Sequence, residues 1–174
     1  MITVYVWNQA GGGSSGVFWG VEGASVGHAA MEIGGGSPGG AVYVSWWPRR
    51  DTFGDVLIGT PAHNRRTLAD EIRDEGDVNP NFSIRIPGRG EGRGDNGLDE
   101  TAMKAWWVEW QRDPTYRLLD RSCCTTIVRG LLAGHATTYA SRTLEINPDA
   151  IVWDPNDVIA IANACVSGIA ASRY

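Results

Sequence analysis

Cysteine is scarce in this sequence, and the few cysteines form neither a disulfide framework nor a zinc motif. The 174 residues include three cysteines, of which Cys123 and Cys124 are adjacent, and none belongs to a Cys-x-x-Cys pair. Adjacent cysteines rarely bind one tetrahedral metal ion together, and a disulfide between sequence neighbours is strained. We therefore expect no metal and no other cofactor, and the thiols remain candidates for chemistry of their own.

Positive charge is also in deficit. Fifteen Lys and Arg residues stand against twenty Asp and Glu residues, which gives a formal net charge of -5 at pH 7. Such a chain lacks the basic surface with which proteins bind nucleic acid or anionic membranes. We expect neither as a partner.

Long apolar runs are missing as well. No segment reaches the ~20 consecutive apolar residues of a membrane-spanning helix. Residues 1–8 lack the basic start and the apolar stretch of a signal peptide. We expect a protein without a membrane span that is made in the cytoplasm and leaves it only through a dedicated secretion system. Its 43% apolar and 20% charged residues are typical of one globular domain, spanning residues 1–174.

A glycine-rich segment early in the chain imitates a cofactor motif. Residues 11–16 satisfy the pattern GxGxxG of dinucleotide-binding loops. That loop must be followed directly by a helix, whereas here Gly20, Gly23 and Gly27 follow closely. We interpret residues 11–16 as a plain loop.

The remaining sequence divides into alternating segments and helical patterns. Alternation of apolar and polar residues predicts strands at 2–8, 26–33, 41–47 and 81–86, with the second and third forming a hairpin. Capping residues and apolar repeats then predict helices at 67–72 (a short surface helix), 99–112, about 123–134, and from 155 onwards, with Thr67, Asp99 and Asp154 as caps. Strands followed by helices indicate an α+β domain with an antiparallel sheet. The aromatic stripe of the second helix, which could be a ligand platform, is interpreted as core; it comprises Met103, Trp106, Trp107 and Trp110.

The helix that begins near Cys123 is the candidate catalytic element. Its apolar stripe lies within 127–132, and Gly134 ends it. A cysteine in the first helical turn faces free N–H groups and the positive end of the helix dipole, which lower the thiol pKa from ~8.5. Because Cys124 shares the face of the apolar stripe, we predict Cys124 as the nucleophile. Cys123, rotated by ~100°, is the alternative.

A cysteine nucleophile needs a base, and His28 is the best candidate among the histidines. His63 lies in a polar loop and His135 follows the helix end, so both are interpreted as solvated, whereas His28 lies in a strand between small residues that leave its ring accessible. The second ring nitrogen needs an acceptor. Ser45, on the neighbouring strand, is predicted to fill that role, because Glu32 on the same strand is ~13 Å away.

The order of these motifs resembles a known family. GHAAMEI (27–33), VYVSWWP (42–48), CTTIV (124–128) and WDP (153–155) are together similar to circularly permuted papain-like cysteine hydrolases. These belong with the NlpC-type peptidoglycan peptidases and the lecithin-retinol-acyltransferase-like proteins. More narrowly, the series resembles effector and toxin domains delivered by type VI secretion or polymorphic toxin systems.

The resemblance implies a papain-like fold with the His strand before the Cys helix, and it assigns Cys124, His28 and Ser45 as the catalytic residues. Two positions depart from the family pattern: Cys123 stands where asparagine is expected, and Ser45 where His, Asn or Gln is common. Residues 51–98 match nothing in the pattern and are expected to form an insert.

The resemblance also implies a function. We expect an antibacterial hydrolase that is delivered to a rival's periplasm, cleaves peptidoglycan stem peptides and has a cognate immunity protein as a partner. Two alternatives stay open: a protease, glutamine deamidase or acyltransferase acting on a cytoplasmic protein, or a binding module in which the cysteines are inert. Reaction of a thiol with iodoacetamide well below pH 8 separates the enzymes from the binding module.

Overall fold

The computed structural model describes residues 1–8, 27–34, 40–50, 52–89, 95–141, 143–147, 149–150 and 152–172. The glycine-rich segment 11–16 lies outside these residues, as do the tip of the predicted hairpin and part of the loop 88–97. The strands are β1 (Ile2–Trp7), β2 (His28–Ile33), β3 (Val42–Val44), β4 (Trp47–Pro48), β5 (Thr60–His63), β6 (Phe82–Ile86) and β7 (Thr115–Tyr116). The helices are α1 (Phe53–Ile58), α2 (Leu68–Asp74), α3 (Glu100–Trp110), α4 (Cys123–Ala133), α5 (Ala136–Ala140) and α6 (Pro155–Ala171).

The main sheet is antiparallel and has the order β3-β2-β1-β6. Its register pairs Trp7 with His28 and Met31 with Val44. Alternation along β2 sends Met31 into the large core and Ala30 into a smaller cluster on the opposite face. The predicted hairpin and the two faces of its first strand are thereby confirmed.

A second sheet, of order β4-β5-β7, was not predicted. The predicted strand 41–47 is interrupted after Val44: the chain leaves the main sheet, and Trp47 then pairs with His63 in β5. At the far edge, Thr60 pairs with Tyr116 of β7. This small sheet ties the end of the hairpin to the segment just before α4.

The helices begin where their capping residues predict. Asp99 accepts a hydrogen bond from the N–H of Ala102, and Asp154 forms a capping box with Asp157 ahead of Pro155. Ser122 caps α4 through the N–H of Thr125. The caps Thr67, Asp99 and Asp154 are confirmed, whereas α1 and α5 were not predicted.

The core lies between the main sheet and the helices α3, α4 and α6. Most of α4 is buried because Gly130 lets it approach closely: a Cβ there would lie 2.8 Å from the Met31 Cε atom. Met103 and Trp107 of α3 are buried in this core, which confirms the core interpretation of that helix face. The α+β class with antiparallel sheets is confirmed. No helix in the described ranges is both long and apolar enough to cross a membrane.

The segment 51–98, expected to be an insert, is integral to this fold. It supplies β6, which pairs with β1 in the main sheet, and β5, the centre of the small sheet. It also supplies α2, which was predicted to be a surface helix. That prediction is wrong for Glu71, whose side chain has no solvent exposure.

Candidate active site

The first residue of β2 and the first residue of α4 meet at one point. His28 and Cys123 interact through a hydrogen bond between their side chains and through charge. Both are buried, with 3% of His28 and 8% of Cys123 exposed. The structure thus brings an imidazole to a thiol at the start of a helix, which is the arrangement that the sequence predicted in kind.

The thiol that meets His28 is that of Cys123 and not that of Cys124. Ser122 caps the helix, so Cys123 is its first residue and its side chain points back towards the helix N-terminus, where β2 begins. Cys124 is rotated towards α6, and its electrostatic neighbours include Asp154 and Asp157. The two sulfur atoms are 4.0 Å apart. Attack by Cys124 stays a prediction, but the described geometry favours Cys123.

The acceptor for the imidazole is Glu71, which sequence reasoning missed. Its Oε1 atom contacts Nε2 of His28 and also accepts hydrogen bonds from Ser45 Oγ at 3.0 Å and from Trp47 Nε1 at 2.6 Å. Three donors on one buried oxygen keep this carboxylate ionised and fixed in place. Because Glu71 follows a capped first turn that carries Asp70, its sequence context is that of an ordinary acidic residue near a helix start, and no local signal identified it.

Ser45 lies in the cluster but in a different position from the predicted one. It was expected to bond His28 directly, whereas its hydroxyl donates to Glu71. The hairpin register explains the difference, because pairing of Met31 with Val44 extends to place Trp47, not Ser45, across from His28. Ser45 therefore orients the carboxylate that orients the imidazole.

Two indole rings hold the His28 ring. Trp47 stacks on it with centroids 4.2 Å apart and an interplanar angle of 26°, and Trp7 lies at 5.5 Å. Each indole N–H is bonded, that of Trp47 to Glu71 and that of Trp7 to the carbonyl of Val78 at 2.9 Å. These contacts fix the ring plane and leave Nδ1 as the nitrogen available to Cys123.

The charges of the cluster support a thiolate–imidazolium pair. Burial opposes a charged His28, but the carboxylate of Glu71 and the negative sulfur of Cys123 outweigh it and raise the pKa of His28 to about 10. The pKa of Cys123 is held well below its usual value by a hydrogen bond from Cys124 and, against the cost of burial, by His28. The Cys124 thiol has its pKa raised by the same contact, so Cys124 keeps its proton and donates it to the thiolate. The pKa of Glu71 is lowered in spite of burial, because His28 and the hydrogen-bond donors favour its charged form.

The other candidates lie apart from this cluster. His135 is exposed and has a left-handed backbone conformation, as its position after a helix end suggested. The interpretation of His63 as a solvated loop residue is wrong: it lies in β5, is half-buried, and its ring nitrogens are shielded without a partner in the described structure. Glu32 pairs with Thr3 in the sheet and is not bonded to His28.

Within the described residues, no group of three or more His, Cys, Asp or Glu side chains is arranged to hold a metal ion. What the cluster offers is a buried nucleophile, a proton carrier and a fixed carboxylate. That set of groups is suited to attack on a carbonyl carbon followed by proton transfer to a leaving group.

One family model matches the chain. It is described as the IcsB middle domain and matches residues 85–173, which are 89 of the 174 residues and just over half of the chain. The matched part contains α4 with Cys123 and Cys124, whereas His28, Ser45 and Glu71 precede it. Neither the curated proteins nor the solved structures contain a match to the chain.

Proposed function

The chain belongs to the IcsB middle-domain family, and we propose that it is a bacterial effector domain that hydrolyses an amide bond through Cys123, His28 and Glu71. The observation that carries the proposal is the contact of Cys123 with His28 and of His28 with Glu71 in a buried cluster. The resemblance to permuted papain-like hydrolases supports the same order of groups, with the histidine strand before the cysteine helix.

In the proposed reaction the Cys123 thiolate attacks the substrate carbonyl carbon and forms a C–S bond while the carbonyl π electrons move to oxygen. The imidazolium of His28 gives its proton to the leaving amine as the C–N bond breaks, which leaves a thioester on Cys123. A water molecule then attacks the thioester and loses a proton to His28. The acid product leaves, and the thiolate–imidazolium pair is restored.

Glu71 and the two indoles have positioning roles in this scheme. The carboxylate stabilises the imidazolium before the first step and again after water attack, because it remains ionised in both. Trp7 and Trp47 restrict the ring to the plane in which the other nitrogen meets the sulfur. The protein is thus prepared for the transfer without reorganisation of the base.

We propose peptidoglycan stem peptides as the substrate, on the strength of the sequence resemblance, and with them delivery to a rival cell and a cognate immunity protein. The test is incubation of the purified protein with muropeptides, followed by mass spectrometry of the products. Cleavage should require Cys123 and His28. A Cys123→Ala variant that keeps the wild-type rate would refute the assignment of the nucleophile, and Cys124→Ala is the matched control because that side chain is equally buried.

A second candidate keeps the same cluster but transfers the acyl group to an amine on a cytoplasmic protein. The burial of His28 and Cys123 favours this alternative, since a site that excludes water protects a thioester from hydrolysis. Toxicity of the protein expressed in the cytoplasm, without toxicity when it is directed to the periplasm, would favour acyl transfer or proteolysis there over peptidoglycan cleavage. A third outcome, no thiol reactivity below pH 8, would indicate a binding module.

A further inference from the structure

Tyr116 is the second side chain that the fold brings to Cys123, and no step above uses it. We propose that the Tyr116 hydroxyl is a further catalytic group: it donates a hydrogen bond to the Cys123 thiolate at rest and to the oxyanion formed from the substrate carbonyl during the reaction. This inference deepens the proposed function and rests on Cys123 as the nucleophile.

The backbone places Tyr116 beside the start of α4. Arg117 pairs with Arg121 in an antiparallel bridge, so Tyr116 lies across from Ser122, the cap that precedes Cys123. On its other side, Tyr116 pairs with Thr60 in the small sheet. The turn between the paired residues is held by Arg121, whose guanidinium donates to the carbonyl of Thr115 at 3.1 Å.

The Tyr116 side chain is enclosed in the core that contains both cysteines, with 2% of it exposed. Its hydroxyl oxygen accepts a hydrogen bond from the backbone N–H of Cys123, and the hydroxyl is also a hydrogen-bond partner of the Cys123 side chain. Burial and the negative charge on the cysteines raise the pKa of Tyr116 well above its usual value. The phenol therefore keeps its proton at the sulfur and acts as a donor.

The occupied N–H gives this contact a catalytic meaning. The first N–H groups of a helix have no partner within the helix and commonly stabilise an oxyanion. Here the N–H of Cys123 is already bonded to the Tyr116 oxygen, which polarises the phenol O–H. In the arrangement of α4, Tyr116 relays the helix N-terminus to the reacting atoms.

The required movement of the donor is small. When the thiolate attacks, the negative charge leaves sulfur and appears on the oxygen of the carbon that sulfur has just bonded. The Tyr116 hydroxyl rotates from sulfur to that oxygen and gives up no proton. His28 still supplies the proton for the leaving amine, so the two donors have separate tasks.

The experiment uses Tyr116→Phe, with two readouts. We expect kcat to fall about 100- to 1,000-fold with little change in KM, as for the loss of one oxyanion donor. We also expect alkylation of Cys123 by iodoacetamide to need a higher pH, because the thiolate loses a hydrogen bond. Tyr139→Phe is the matched control: its buried hydroxyl bonds the backbone of Gly97 instead and should leave both readouts unchanged.

The alkylation readout needs no substrate, so it separates this inference from the proposed hydrolysis. If muropeptides are not cleaved but the alkylation profile of Tyr116→Phe shifts, the hydrolysis proposal fails and the contact with the thiolate stands. An unchanged alkylation profile, or an unchanged kcat, overturns the inference. Should Tyr116→Phe not fold, 3-fluorotyrosine at position 116 replaces it: its more acidic phenol should move the alkylation midpoint to lower pH, and no movement overturns the inference.

Discussion

Replacing Glu71 by glutamine should uncouple His28 from Cys123 while leaving the fold in place. Glutamine has the size of glutamate, and its oxygen can still accept from Ser45 and Trp47. The new amide group would occupy the position of Oε2, which is buried without a partner in the described structure. What the substitution removes is the negative charge beside the imidazole.

The structure gives the size of the effect. The rise of the pKa of His28 from 6.5 to about 10 corresponds to about 5 kcal/mol in favour of the imidazolium. Two charges, those of Glu71 and Cys123, supply it against burial. If half of it depends on Glu71, the thiolate–imidazolium pair loses about 2–3 kcal/mol, and its population relative to the neutral pair falls roughly 30- to 150-fold.

The assay is the rate of Cys123 alkylation by iodoacetamide between pH 5 and pH 10. Wild type should react at a nearly constant rate down to pH values well below 8, whereas Glu71→Gln should react only as the pH approaches the range of an ordinary thiol. Glu75→Gln is the matched control, because Glu75 is equally buried at the end of the same helix. An unchanged profile in Glu71→Gln would refute the role of the carboxylate, provided that thermal melting shows a folded protein.

Three further predictions concern the hydroxyl beside the carboxylate, the imidazole and the helix packing. Ser45→Ala should lower kcat by about tenfold, because it removes one charge-assisted hydrogen bond; a wild-type kcat would refute this role. The rate should lose activity on its alkaline side near pH 10, where His28 loses its proton, and a fall near pH 7 would contradict the raised pKa. Gly168→Ala should lower the melting temperature by about 6–12 °C, that is by about 3 kcal/mol, because its Cβ would lie 2.1 Å from the carbonyl oxygen of Tyr139. Gly54→Ala, whose Cβ meets open space, is the control and should melt within about 2 °C of wild type.

The parts of the fold that could be predicted are those decided by residues close in sequence. Asp99, Asp154 and Ser122 satisfy N–H groups two or three residues away, so each helix start was visible as a pattern. The alternation along β2 likewise reported which side chains enter the core.

The parts that could not be predicted depend on contacts across the chain. Glu71 lies 43 residues from His28, and nothing in its own segment distinguishes it from a solvated acidic residue. Ser45 was misplaced because the register of a hairpin depends on its turn, and a shift by two residues exchanges Ser45 for Trp47 opposite His28. Whether Cys123 or Cys124 faces the histidine depends on the residue at which α4 begins, which helical periodicity leaves open by one position.

The same limits explain the choice between the two cysteines. The face that Cys124 shares with the apolar stripe was correctly assigned to the interior, since both cysteines are buried. That face, however, packs along the helix, while the imidazole lies at its end. A first-turn side chain that points back beyond the helix reaches the end of a strand more readily than one that points into the layer beneath it.

The most direct test of the account is to identify which sulfur reacts first. The protein would be treated with less than one equivalent of iodoacetamide at pH 6, digested, and fragmented by mass spectrometry between positions 123 and 124. The account predicts the label on Cys123, with Cys124 and Cys165 unmodified, and loss of that label when His28 is replaced by alanine. Preferential labelling of Cys124, or equal labelling with and without His28, would contradict it.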